Sequence, residues 1–216
     1  MSYIYYATTF SAGTYLYYIN LTNGKSVEDA IDEMLYNDNV NQINSTIKTY
    51  IDNWYSSNMT SYTSYLEDTI FCNDRSQINQ QANGWNPNGG NVSTYMYFKN
   101  YNTNSDLSCT NDTDKFSLSN NKAKLTYPVG LLTYPEIYLL NNNLLKTGQR
   151  YWLASPDGFD YGYADERDVS TTGVSGRRSV YSTAGVRPAV SLTPGMEYIV
   201  GDGSKDHPYE VYLGPM

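Results

Sequence analysis

Twenty-four of the 216 residues are tyrosine, against only 17% charged residues. Each tyrosine carries a large apolar ring with a polar tip, so a chain this rich in them must bury much of that area and cannot stay an extended coil. Tyrosine together with abundant Asn, Ser and Gly is also the composition of recognition loops: the ring gives contact area at low entropic cost and the small polar residues give adaptable hydrogen bonds. A tyrosine-rich core and a tyrosine-rich contact surface are both open on this count. The length suits one mixed-structure domain over residues 1–216, able to bury a core without metals or many disulfides.

The formal net charge of −8 argues against a nucleic-acid partner, because an acidic surface repels phosphate and no basic stripe interrupts it. It equally disfavours docking on anionic lipid. No apolar run approaches the ~20 residues needed to cross a bilayer. The opening Ser2-Tyr3-Ile4-Tyr5-Tyr6 lacks the basic start of a signal peptide. Cys72 and Cys109 form no C-x-x-C pair, and a single histidine, His207, leaves little for zinc. One disulfide or two buried thiols fit that spacing equally.

Along the chain, residues 1–24 read as an extended segment, with strand-favouring runs Tyr3–Tyr6 and Thr14–Ile19. Ser26 caps a predicted helix carrying Val27, Ala30, Ile31, Met34 and Leu35. A second helix is predicted from Ser45 to Asn58, with Ile47, Tyr50, Ile51, Trp54 and Tyr55 as its core stripe, and a short third from Ser61 to Glu67. Thr69–Lys124 is long, irregular and Asn-rich, with a turn at Gly84–Gly90 and short strand candidates at Tyr95–Phe98 and Lys115–Leu118. Thr126–Leu132 is predicted as a strand, with Pro135 then opening a helix through Glu136, Ile137, Leu139 and Leu140. Tyr151–Ala154, Val186–Leu192 and Val211–Leu213 complete an α+β pattern, helices first and an antiparallel meander last.

Several motifs carry a resemblance in their order: Ile51-Asp52-Asn53-Trp54-Tyr55, Phe71-Cys72-Asn73-Asp74-Arg75-Ser76, Gly84-Trp85-Asn86-Pro87, Leu125-Thr126-Tyr127-Pro128-Val129-Gly130, Tyr151-Trp152-Leu153-Ala154-Ser155-Pro156 and Gly185-Val186-Arg187-Pro188-Ala189-Val190-Ser191-Leu192. Together, over about Ser45 to Val211, they resemble a domain family common in surface and secreted proteins of gut Firmicutes and their phages. That family is similar to the C-type-lectin-like fold of formylglycine-generating enzymes and of the variable proteins of diversity-generating retroelements. The resemblance implies an extracellular, cell-surface or virion location and a non-catalytic role in binding a protein or glycan ligand. It further implies a variable ligand-binding segment within 151–192. On that analogy the contact residues are Asp157, Phe159, Asp160, Tyr161, Tyr163, Asp165, Arg167, Asp168, Ser175, Arg177, Arg178, Ser179 and Tyr181.

The residues themselves give catalysis little to work with. A formylglycine-generating activity would, by the same analogy, need a late reactive cysteine pair, and no cysteine follows Cys109. No G-x-S-x-G elbow occurs, and Asp165 and Glu166, adjacent on a strand, point to opposite faces. No cofactor is therefore expected. Calcium is conceivable at Asp157, Asp160, Asp165 and Asp168 or at Asn111, Asp112 and Asp114, but neither set has EF-hand spacing and solvated acidic loops explain both more simply. Arg187 reads as a framework guanidinium bridging carbonyls or a carboxylate, and Trp54, Trp85 and Trp152 as core. A structural or adhesive surface module without a dedicated variable site is the rival reading.

Overall fold

The computed structural model describes residues 45–72, 107–140, 142–160, 163–179, 182–203 and 206–213, with backbone alone at 142–143, 156, 158–160 and 163–164. The expectations for residues 1–24, the helix after Ser26, Gly84–Gly90, Trp85, Arg75 and Tyr95–Phe98 lie outside them.

The first described element is helix α1, Thr46–Asn58. Ser45 caps it as its position predicts, its side chain accepting the Lys48 N–H at 2.9 Å. Its buried face is Lys48, Ile51 and Tyr55 rather than the whole predicted stripe, and Tyr50 is exposed. The difference is a rotation of the helix by about one position, which carries a lysine inside. Lys48 tolerates this because Asp52, one turn on, pairs with its ammonium. Burial pulls the Lys48 pKa below the ordinary lysine value, and the bond to Asp52 pulls it back up. The short helix expected over Ser61–Glu67 is a 3-10 helix, Thr60–Tyr65. The Tyr55 hydroxyl meets Thr63 Oγ1 at 2.9 Å and its ring stacks on Tyr127, 4.8 Å between centroids.

Strands β1 (Phe71–Cys72) and β2 (Lys115–Phe116) pair antiparallel, and beside them Cys72 and Cys109 are joined by a disulfide. The Asp68 carboxylate accepts the backbone N–H groups of Leu118 (2.7 Å) and Ser119 (3.0 Å), fixing the turn after β2. The Asp112–Asp114 turn is capped by Asn111, while Asp112 pairs with Lys115 and Lys122.

Thr126–Leu132 is not a strand. Val129 and Leu131 are buried, but the segment makes only one bridge, Gly130 to Ala189. Helix α2, Tyr134–Tyr138, follows with a full capping box: Thr133 accepts from the Glu136 N–H, and Glu136 accepts from the Thr133 N–H. Leu139, expected within this helix, is its exposed C-terminal cap. The short helix α3 spans Asn142–Leu145.

The principal sheet is an antiparallel meander of β3 (Tyr151–Asp160), β4 (Tyr163–Val169) and β5 (Ser175–Ser179), in that spatial order. The register of β3 against β4 shifts twice around Pro156, which has no N–H to give the ladder. Residues Ser170–Val174 form the β4–β5 turn: the Gly173 N–H donates to the Ser170 carbonyl at 3.0 Å, and Gly173 takes the left-handed φ of 86° that this turn requires. Tyr134, Ile137, Leu145, Tyr151, Leu153 and Val169 form a buried cluster between α2, α3 and one face of this sheet. A second, small hairpin pairs β6 (Tyr198–Val200) with β7 (Glu210–Val211).

Val186–Leu192 is likewise not a strand but part of a strap that stitches three segments. Gly185 bridges Tyr151, Ala189 bridges Gly130 and Leu192 bridges Leu66. Pro188 interrupts any continuous ladder. Arg187 takes the framework role expected of it, donating to the Leu144 carbonyl at 2.9 Å and to the Tyr151 hydroxyl at 3.3 Å. Among the described residues no helix is long and apolar enough to cross a membrane.

Replacing Asp52 with alanine leaves Lys48 buried without its ionic partner, and urea unfolding should show a loss of about 3 kcal/mol. The double variant Lys48→Met/Asp52→Ala should recover most of that loss; equal losses in both would show that the ion pair is not what the interior requires.

Candidate functional site

Four of the chain's six arginines meet at the meander. Alternation along the strands divides them between its two faces. The register puts Asp165 opposite Ser179, Arg167 opposite Arg177 and Val169 opposite Ser175 on one face, and Glu166 opposite Arg178 and Asp168 opposite Gly176 on the other.

On the first face Asp157, fully buried, holds Arg167 at 2.5 Å and Arg177 at 3.6 Å. Asp165 lies 4.0 Å from Arg177 and accepts the Ser179 hydroxyl at 2.8 Å. The Arg167 guanidinium sits 4.5 Å from the centre of the Tyr134 ring, so the charged ladder continues into the aromatic cluster. On the opposite face Asp168, also fully buried, takes both Arg150 (2.5 Å) and Arg178 (3.3 Å) on a single oxygen. Gly176 lies against this carboxylate: a Cβ there would stand 2.8 Å from Asp168 Oδ1.

Electrostatics follow from burial. Burial pushes the Glu166 carboxyl well above the ordinary 4.5, the Asp157 charge adds to the shift and Arg167 opposes it. Burial also raises Asp157, against the downward pull of Arg167 and Arg177. Four guanidiniums, two on each face, thus stand among the carboxyl groups of Asp157, Asp165, Glu166 and Asp168, of which burial pushes Glu166 toward its neutral form.

These placements alter the expected contact set. Asp157, Arg167 and Asp168 lie in the interior, each at most 4% exposed, so they position other side chains and cannot form an outer surface themselves. The idea of solvated acidic loops fails for Asp157 and Asp168 for the same reason. Ser175, Arg177, Arg178, Ser179 and Asp165 are at least partly accessible, on strands rather than on loops. Phe159, Asp160 and Tyr163 belong to β3 and β4, where Phe159 pairs with Ala164 and Asp160 with Tyr163; Tyr161 and Tyr181 lie outside the described residues. Arg150 was not expected here. Its signal was parity: it shares a strand face with Trp152, whose register partner is Asp168.

At the turn end of the first face a second feature opens, a cavity of about 250 Å³ lined by Ile137, Tyr138, Leu140 and Leu145 and by Thr172–Ser175 of the β4–β5 turn. The Tyr138 hydroxyl on its rim bonds the Tyr134 hydroxyl, and burial with that bond pushes Tyr134 up to about 12.

No protein-family model, curated protein or solved structure matches the chain. The observed architecture is mixed helix and small antiparallel sheets, an α+β class.

Two outcomes test this arrangement. Glu166 keeps in the folded state a proton that the unfolded chain releases near pH 4.5, so its contribution is complete below that value and is lost as pH rises through the folded pKa. Urea unfolding of Glu166→Gln and the parent from pH 4 to 8 should show the variant gaining relative stability as pH rises; a constant gap would mean that Glu166 titrates alike in the folded and unfolded chain. Gly176→Ala should cost about 1–3 kcal/mol, because the two-arginine grip leaves the Asp168 carboxylate little room to move; a neutral thermal shift would contradict that grip.

Proposed function

We propose that this chain is a non-catalytic binding module, C-type-lectin-like in arrangement, that grips a protein or glycan ligand at a cell or virion surface through its β4–β5 hairpin. One observation carries the reading: Arg177, Arg178 and Arg150 keep 49%, 37% and 31% of their side chains exposed while the carboxylates that hold them are buried. Arginine is enriched at binding hot spots, and a guanidinium already anchored from below loses less conformational entropy when a ligand arrives. The exposed guanidiniums suit carboxylates or other acceptors on the partner.

The diversity-generating-retroelement reading belongs to this proposal. On it, Asp157, Arg167 and Asp168 are framework, and the positions free to vary are the accessible ones of β5 and of the turn before it. The Cys72–Cys109 bridge supports a location outside a reducing cytoplasm. A structural or adhesive module is the second reading, supported by the β6–β7 hairpin, where Tyr198, Ile199, Val200 and Tyr209 are all at least half exposed.

The test is Arg177→Ala/Arg178→Ala, checked for an unchanged circular dichroism spectrum and assayed on glycan arrays and on intact bacterial cells. Any binding shown by the parent should fall about tenfold or more in the variant. Full retention of that binding, or a parent that binds nothing while self-associating through β6–β7, would sink the reading in favour of the adhesive one.

A further inference from the structure

We propose that the cavity at the turn end of the β4–β5 hairpin is a subsite for one neutral sugar ring. The inference rests on the binding reading above and names a ligand class for the other end of the same hairpin. At about 250 Å³ the cavity falls below the ~300–1,000 Å³ of sites for drug-sized molecules, so its occupant is small. None of its lining residues is charged. An ion seated there would lose hydration without gaining a partner, so the occupant is uncharged.

The walls divide by chemistry. Ile137 and Leu145 are buried and give an apolar floor, continued by Leu140. Tyr138 and Val174, 61% and 65% exposed, stand at the rim. Hydroxyls come from Tyr138, Thr172 and Ser175. Each hydroxyl has one donor and two acceptor positions, so the bonds already present, Thr172 to Ser170 at 3.0 Å and Tyr138 and Ser175 each to Tyr134, leave capacity for a ligand. A pyranose has the matching form: an apolar C–H face for the floor and the tyrosine, and a ring of hydroxyls for the rim. A purely aliphatic occupant would leave those rim hydroxyls without use, and a peptide segment is larger than the space.

The site is also stiff. Tyr134 is fixed from one side by the Arg167 guanidinium and holds Tyr138 edge-on, with ring centroids 4.9 Å apart. Gly173 holds the turn that brings Thr172 and Ser175 to the opposite wall.

The experiment is a two-dimensional amide NMR titration of the intact chain with the methyl glycosides of glucose, galactose, mannose and N-acetylglucosamine, with 1-hexanol and N-acetylneuraminic acid as controls. At least one neutral glycoside should give saturable shifts confined to residues around 137–145 and 172–175, with a Kd on the order of 1 mM, as expected for so few ligand atoms. Tyr138→Ala and Val174→Asp, both at exposed positions, should each weaken it about tenfold or more. Arg177→Ala/Arg178→Ala should leave it intact, which separates this site from the arginine patch. The proposal is overturned if no neutral glycoside saturates, if hexanol or the charged sugar produces the same shifts at lower concentration, or if the two groove variants bind like the parent.

Discussion

Two carboxylates with no access to water, Asp157 and Asp168, set the terms for the rest of the sheet. A charge removed from solvent is costly unless it is paired, and each of these is paired twice. The pairs reach in opposite directions from the central strand β4, so ions hold the strand on both faces, and Val169 at its end joins the apolar cluster. That requirement fixes its register against β5, since a slip of one residue would carry Arg167 and Asp168 each to the wrong side. It also explains why a residue without a side chain stands at position 176.

The same arrangement explains what could be read in the sequence. Local signals were legible: Ser45 and Thr133 as caps, Pro135 near the start of α2 and the helical spacing after Ser45 all state their meaning within a few residues. Strand β4 was not, because Asp165-Glu166-Arg167-Asp168 reads as a solvated run, and pattern rules equate burial with apolar character. Lys48 was missed on the same ground. The strap through Gly185–Leu192 failed differently: its three bridges go to three distant segments, and no period in its own sequence records that. At the candidate site Arg177 and Arg178 were named only through the resemblance, which marked out the segment that holds them. Tyr134, Tyr138 and Arg150 were not, because their part depends on how α2 and the start of β3 fall beside the hairpin.

On the reading offered here, one sheet face presents two kinds of chemistry in series. Arg177, with its exposed head, occupies the end near Ser179, and an uncharged groove occupies the end near the turn. Arg167 stands between them, holding Asp157 on one side and lying under Tyr134 on the other. A ligand long enough to span both would meet charge first and a sugar-sized recess second, with neither element needing to rearrange.

Strand β5 has one further consequence, from its place at the border of the meander. Among the described residues nothing pairs with its outer side, so its backbone groups on that side could template a neighbouring chain. Arg177 and Arg178 project to the two sides of the strand, and two chains brought edge to edge would set four guanidiniums against each other at close range. The same exposed charges thus also oppose the stacking of this tyrosine-rich chain into fibres.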